Sequence, residues 1–378
     1  MARKLKSDKW LFIATLALVC TSIVMVYSAT GVVLAERGAN PYLILLKQGT
    51  WALVGLAFVF VIMRIDYRTY RQPVVIWTVL GVVAVALVVV LFGREVKGAR
   101  RWLDIGPLGM QPSELAKIAI IMFIAAVLER RMERIDEPSY SLLPIGVVLG
   151  TVVGLILTQP DFGTAFSIVM IAAVMIFASG ISYRYVAAIA AMGVPSLFLL
   201  IYMSEYRMRR IQAYLDPWAD PLGNGYQAVQ SMISVSVGGI FGRGLTDGLQ
   251  KLFYLPEPHN DFIFAVIGEE LGMIGATVVL ACFCIIAWRG MRTAVRAPDR
   301  FGSFLAIGLT TMVAFQALFN ISVVLGLLPT KGIPLPFVSY GGSSLLINLI
   351  GMGILLNVSQ HASASQIVTM TLPPTADA

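Results

Sequence analysis

Ten apolar runs follow one another along this chain, at about 10–29, 43–63, 73–92, 111–128, 141–158, 162–179, 183–203, 262–288, 302–328 and 340–360. Each is roughly the 17–25 residues a helix needs to cross a bilayer. Backbone polar groups find no water in lipid, so runs of this length fold as helices that satisfy their own hydrogen bonds. No strand pattern is convincing. The spacing therefore predicts an all-α polytopic membrane protein of ten transmembrane helices. Composition agrees, with 58% hydrophobic and 13% charged residues against about 25% charged in a soluble domain.

Basic residues set the orientation, because short cytoplasmic loops collect Lys and Arg. With the N-terminus inside, the cytoplasmic segments hold Arg3, Lys4, Lys6, Lys9, Arg64, Arg68, Arg71, Arg130, Arg131, Arg134, Arg184, Arg289, Arg292, Arg296 and Arg300. Both termini are then cytoplasmic. The first helix follows MARKLKSDK without a small-residue cleavage site, so it is expected to be retained. Residues 1–361 read as one membrane domain, and the small, polar stretch 362–378 as a disordered cytoplasmic tail. The net charge of +7 belongs to this topology, and no nucleic-acid partner is expected. Cys20, Cys282 and Cys284 lie in apolar runs and read as small buried hydrophobes.

The remaining cations break the pattern. Arg94, Lys97, Arg100 and Arg101 fall in one outer loop. Arg207, Arg209, Arg210, Arg243 and Lys251 fall in the only long one, about 204–261 between helices seven and eight, and Lys331 falls in a third. Clustered outer cations point to a bound anion; solvated charge or lipid headgroups are the plain alternative. In the long loop, RMRRIQAYL and GYQAVQSMISVSVGG read as short interfacial helices. GIFGRGLTDG reads as turns that present backbone N–H groups.

Several polar residues sit where lipid makes them costly. Glu114 and Lys117 lie three apart and can pair on one helix face, either as a structural tie or as the lining of a polar cleft. Asp161 follows Pro160 in a tight turn and suits a helix cap. Asp261 stands at the mouth of an apolar helix just after His259, with Glu269 and Glu270 two turns below. Consecutive residues diverge by about 100°, so at least one of that pair is expected to face protein. Trp102 reads as an interfacial anchor or a stacking surface. The stretch 327–346, broken by Pro329, Pro334, Pro336, Gly332, Gly341 and Gly342, should line a cavity. Its Ser339, Ser343 and Ser344 beside a helix start suit an anion. A lone aspartate among cations suits a general base acting on a hydroxyl. The residues alone reach an outer-face site for an anionic, lipid-borne ligand, without the reaction.

Five segments in order carry a resemblance: GARRWLDIGPLGMQPSELAK at 98–117, TQPDFGTA at 158–165, DPLGNGYQAVQS at 220–231, KLFYLPEPHNDFIFAVIGEELG at 251–272 and LLPTKGIPLPFVSYGGSSLL at 327–346. Together they resemble the SEDS family (shape, elongation, division and sporulation) along nearly the whole chain. The YLPE and IGEELG forms are similar to its division members more than to its elongation members. Asn260 departs from the threonine usual there, beside an intact acid. The resemblance implies a ten-helix bundle with a large extracytoplasmic loop between helices seven and eight. It implies a peptidoglycan glycosyltransferase that polymerises lipid II at the outer face of the bacterial inner membrane, at the division septum. Asp261 would be its catalytic base, with inversion at the donor sugar and undecaprenyl pyrophosphate leaving. Arg100, Arg101, Trp102, Glu114, Lys117, Arg209, Arg210, His259, Lys331, Ser339 and Ser343 are the expected substrate-binding residues, supported by Asp161, Glu269 and Glu270. No cofactor is required by the residues, and the resemblance leaves room for a divalent cation, Mg or Mn. The implied partners are a class B penicillin-binding transpeptidase, other division proteins and membrane lipids. A lipid II flippase, motivated by the buried charges, and a non-catalytic scaffold are the competing readings.

Overall fold

The protein was examined as a computed structural model, which describes residues 7–36, 38–95, 99–105, 108–252 and 254–371. Lys97 and the basic N-terminal residues Arg3, Lys4 and Lys6 lie outside them. Twelve helices follow in order: α1 Lys9–Glu36, α2 Leu43–Ile62, α3 Pro73–Val90, α4 Pro112–Arg131, α5 Pro138–Thr158, α6 Phe162–Ala178, α7 Tyr183–Tyr202, α8 Glu205–Leu215, α9 Tyr226–Gly238, α10 Ile263–Arg296, α11 Arg300–Val324 and α12 Gly342–Thr371. Proline opens α3, α4 and α5, where its missing N–H costs nothing. Asp299 caps α11 by accepting from the Gly302 N–H at 2.7 Å.

Eight of these helices are long and apolar enough to cross a membrane: α1, α2, α3, α5, α7, α10, α11 and residues 342–362 of α12. Helix α6 is apolar but shorter, and α4 carries Glu114, Lys117, Glu129, Arg130 and Arg131. Both are nonetheless packed in the bundle, α4 being buried along most of its length. Helix α7 buries none of its residues and leaves an apolar groove against α6. The two short helices expected in the long loop are present as α8 and α9.

Three expectations change. Strands β1 Leu103–Ile105 and β2 Leu108–Met110 form an antiparallel hairpin, pairing Leu103 with Met110. Three-residue strands are too short to show an alternating pattern. The expected tail does not begin at Ala362, because α12 continues to Thr371 through residues that contain no Gly or Pro. Residues 372–378 lie outside the described set. Third, the glycine-rich turns present their N–H groups inward.

That third change comes from a break in α10. Gly272 adopts φ 64°, which no β-branched or bulky residue holds easily. The interrupted helix bonds are replaced from the loop after α9. Arg243 and Gly244 N–H donate to the Glu269 and Glu270 carbonyls at 3.0 and 3.1 Å, while Met273 and Ile274 N–H donate to Gly239 and Ile240 at 2.9 and 3.2 Å. Gly242, at φ 82°, has no room for a side chain, since a Cβ would strike the Glu270 carbonyl. Broken backbone inside a bundle survives only with such substitutes.

Candidate active site

The break fixes the carboxylates below it. Glu269 accepts from the N–H groups of Leu249 at 2.7 Å and Gln250 at 3.2 Å, and Arg243 lies 3.6 Å away. Glu270 is 2.5 Å from the buried Lys251 ammonium and accepts from Ser28 of α1 at 2.7 Å. Both glutamates therefore face protein, where at least one was expected. Their charges are spent on holding the loop to α10 and α1, and neither lines the cavity above them.

Above them the start of α10 is tied at three successive carbonyls. Tyr340 N–H donates to His259 O at 2.8 Å. Ser339 Oγ donates to Asn260 O at 2.6 Å. Asn320 Nδ2 donates to Asp261 O at 2.8 Å. The Asp261 side chain is thus presented from a backbone held by α11 and by the 327–346 segment. It opens into a cavity of about 740 Å³.

Seven segments wall this cavity, among them Gly332 and Pro334 of the loop between α11 and α12. Helix α2 gives Lys47, Thr50 and Trp51. The hairpin region gives Arg101, Trp102 and Gly109, and the start of α4 gives Gln111 and Glu114. The α5–α6 turn gives Asp161 and Thr164. Asn260 and Asp261 come from the entry to α10. Tyr340, Ser343 and Ser344 come from the start of α12. Asp161 is the α6 cap, accepting from Thr164 N–H at 3.2 Å, and also accepts from Gln111 Nε2 at 2.9 Å. Glu114 and Lys117 form a buried pair at 2.8 Å. Arg101 donates to the carbonyls of Gln159 and Pro160 at 3.0 and 2.6 Å and also lines the cavity. The Ser343 hydroxyl is buried without a hydrogen-bond partner among the described residues.

Lys331 precedes Gly332, where a Cβ would stand 2.9 Å from Asp261 Oδ2. Its ammonium sits 4.2 Å from the Phe162 ring centre, with the Arg207 guanidinium 4.9 Å from the same ring. Arg210 donates to Thr330 O at 2.6 Å. These three cations rim an apolar pocket of about 210 Å³ between α6, α7 and α11. Burial, and then the Arg210 charge, push the Lys331 ammonium down to about 8. Burial pushes the Tyr340 phenol up.

Four expected binding residues take other places. Arg100 is exposed, donates to Leu91 O at 3.1 Å and stands 4.0 Å from Glu95. Arg209 points outward to Glu205 at 2.5 Å, because the inward face of α8 carries Arg207, Arg210, Ile211 and Ala213. Ser339 spends its hydroxyl on Asn260 O and Leu335 N–H. His259 packs beside the Tyr340 ring at 5.6 Å, next to the cavity lining. Lys47, Trp51, Gln111 and Tyr340 were not singled out from the sequence, nor was Asn320. An asparagine inside the apolar run 302–328 was the available signal for the last. Among the described residues no three His, Cys, Asp or Glu side chains converge as a metal site.

A family profile described as "Cell cycle protein", covering FtsW, RodA and SpoVE, matches residues 9–364. The chain belongs to the FtsW/RodA/SpoVE family. A relative within it, the "Probable peptidoglycan glycosyltransferase FtsW" of Geobacter sulfurreducens, is 44% identical over 354 residues, which is 93% of this chain and 95% of that one. The "Stage V sporulation protein E" of Bacillus subtilis is 40% identical over 366 residues, covering 95% and 99%. Among solved structures, a chain from a peptidoglycan synthase complex that coordinates polymerization and crosslinking superposes with a TM-score of 0.78 at 31% identity, over 95% of this chain and 99% of that one. The rod shape determining protein RodA of Thermus thermophilus gives 0.70 at 28% identity, over 94% and 97%. The family places this chain among membrane proteins, in accord with its eight membrane-length helices.

Proposed function

We propose that this chain is a peptidoglycan glycosyltransferase that joins lipid II units into glycan at the outer face of the bacterial inner membrane, in its division form. The observation that carries the reading is Asp261, on a backbone tied at the carbonyls of residues 259, 260 and 261 and opening into a cavity lined by Arg101, with Lys331 next along the chain to the lining residue Gly332. The names of the relatives support it.

In this reading the Asp261 carboxylate takes the proton of the acceptor sugar's 4-hydroxyl. The freed oxygen bonds the donor's anomeric carbon from the face opposite the leaving group. The bond from that carbon to the pyrophosphate oxygen breaks, and the configuration inverts. Undecaprenyl pyrophosphate departs with its electron pair, and its developing charge is met by preorganised cations, Lys331, Arg207 and Arg210. Trp102 and Trp51 offer ring faces to sugars, and Ser343 with the start of α12 offers donors to phosphate. The apolar groove between α6 and α7 suits the isoprenoid tail.

We read α4 and α6 as spans alongside the eight longer helices. This gives ten, with both termini cytoplasmic and the segment 204–261 outside. A crosslinking transpeptidase of the class B penicillin-binding type is the expected partner. The buried charges that suggested a lipid II flippase are matched within the protein, Glu114 to Lys117 and Glu270 to Lys251, so no observation favours transport.

The test is polymerisation of lipid II by the purified chain with its transpeptidase partner. Asp261→Asn is expected to lower glycan synthesis by about 10²–10⁴-fold while thermal stability and partner binding persist. Normal polymer from that variant removes Asp261 from the chemistry.

A further inference from the structure

The end of the bundle opposite Asp261 gathers the arginines of the segments expected to be cytoplasmic. Three of them form salt bridges with acids. Arg71 pairs with Glu129 at 2.9 Å, Arg68 with Asp299 at 3.4 Å and Arg289 with Asp8 at 2.5 Å. Arg130 and Arg131, at the end of α4, are in none of these salt bridges. Among the described residues neither lies within salt-bridge distance of a carboxylate, although the Arg130 charge also acts on Glu129, which Arg71 pairs with. Arg130 donates to Arg71 O at 3.2 Å, and Arg131 donates to Tyr140 O while its guanidinium lies over the Tyr140 ring. A guanidinium has five N–H donors, so most of theirs are uncommitted.

Both arginines stand at the mouth of a groove of about 420 Å³ between α3, α4 and α5. The polar end also holds Ser139, in the first turn of α5. Away from that end the walls are apolar: Ile76, Trp77, Phe123, Val127, Leu143 and Val147 among them. Trp77 meets Phe123 edge-on at 5.9 Å, and Trp77, Leu143 and Val147 are 60%, 62% and 59% exposed. The starts of α3 and α5 add partial positive charge at the same end.

We propose that this groove binds an anionic phospholipid of the adjacent leaflet, its phosphate between Arg130 and Arg131 and one acyl chain along the Trp77–Leu143 wall. Charge complementarity decides the headgroup: two cations lining one groove without a salt bridge of their own suit a net-negative lipid and give no advantage to a zwitterionic one. The apolar walls decide for lipid over free phosphate, which leaves them uncovered. The site is separate from the Asp261 cavity, and the assignment does not depend on the glycosyltransferase reading.

The test uses the purified full chain in detergent and phospholipids brominated on their acyl chains. The Trp77 emission, obtained by difference from Trp77→Phe, reports occupancy of this groove alone. Brominated phosphatidylglycerol is expected to quench it at concentrations about tenfold or more below brominated phosphatidylcholine. In the Arg130→Gln, Arg131→Gln variant the two lipids should quench alike. Equal quenching by both lipids in the unaltered chain overturns the proposal, and this arm needs no arginine variant to fold. A preference that survives the double substitution overturns it too. So does inorganic phosphate that displaces phosphatidylglycerol at equal concentration, which would assign a free anion.

Discussion

The side-chain amide of Asn320 donates to the main-chain oxygen of Asp261 and, with its second hydrogen, to that of Ile333, at 2.8 Å each. One residue of α11 thus locks the entry of α10 to the 327–346 segment. Asn320→Leu keeps the volume and removes both donors, leaving two buried carbonyls unpaired at about 1–3 kcal/mol each. Loss of alignment at the Asp261 carboxylate should lower the polymerisation rate by about 10–100-fold. Affinity for lipid II should change much less. The check is kcat and KM measured separately, beside a thermal unfolding curve. A loss confined to KM would exclude a positioning role.

Gly332 lies against the Asp261 carboxylate and tests the same geometry. A Cβ at Gly332 would stand 2.9 Å from Asp261 Oδ2, with no left-handed backbone to strain. Gly332→Ala should therefore fold and push the carboxylate aside. The expected result is an unchanged unfolding midpoint with a rate lower by about tenfold or more.

The two neighbouring arginines of the hairpin loop should separate. Arg101 lines the cavity and is braced on the α5–α6 turn. Arg100 is exposed and sits near Glu95, a surface arrangement that contributes about 0–1 kcal/mol at most. Arg101→Gln should lower kcat/KM by about tenfold or more, as expected for losing one charged contact to an anion. Arg100→Gln and Arg209→Gln should leave it within about twofold. Steady-state kinetics on the three single variants decides.

The helices were readable from apolar run length alone, because lipid allows a buried backbone few other forms. Asp261, Asp161, Arg101 and Trp102 were readable as polar or aromatic residues at span ends, and the cavity brings them together. Arg100 against Arg101, and Arg209 against Arg210, were not separable in the sequence. Which of two adjacent cations faces the bundle depends on a hairpin register and on the rotation of α8. The α10 break was hidden for a related reason. Gly272 looked like one glycine in an apolar run, and the loop that completes its hydrogen bonds lies some thirty residues earlier. Glu269 and Glu270 read as members of the site because charge near a membrane helix suggests function, yet their partners, Lys251 and the 243–250 backbone, give them a structural task.

That task makes a stability prediction. Lys251 and Glu270 are 1% and 0% exposed and 2.5 Å apart. Removing one member of a buried pair strands the other charge, at a cost of about 3–5 kcal/mol, whereas replacing both with apolar residues is often close to neutral. Lys251→Met should lower the thermal midpoint sharply. Lys251→Met with Glu270→Leu should recover most of it, although Ser28 and the Thr246 N–H lose an acceptor. Differential scanning calorimetry on the two variants checks this, and a double variant as unstable as the single one would contradict the pairing.

Lys331 gives the site a pH dependence whose sign can be worked out. Its ammonium titrates at about 8 in the folded chain, down from 10.5, chiefly through burial. Only the charged form attracts a pyrophosphate. Below about pH 8 the free enzyme carries that charge; above it the proton is progressively lost, and binding the anion must first restore it. The kcat/KM for lipid II should therefore fall as pH rises through about 8, by up to about tenfold per unit, since kcat/KM reports groups of the free enzyme. Lys331→Arg keeps a cation at every accessible pH and should flatten this limb. Lys331→Met should also flatten it, at a level below that of the native chain at pH 7. Profiles from pH 6.5 to 9.5 on the three proteins separate the outcomes. A native profile level across pH 8, or a limb that persists in Lys331→Met, would mean that Lys331 does not meet the leaving group.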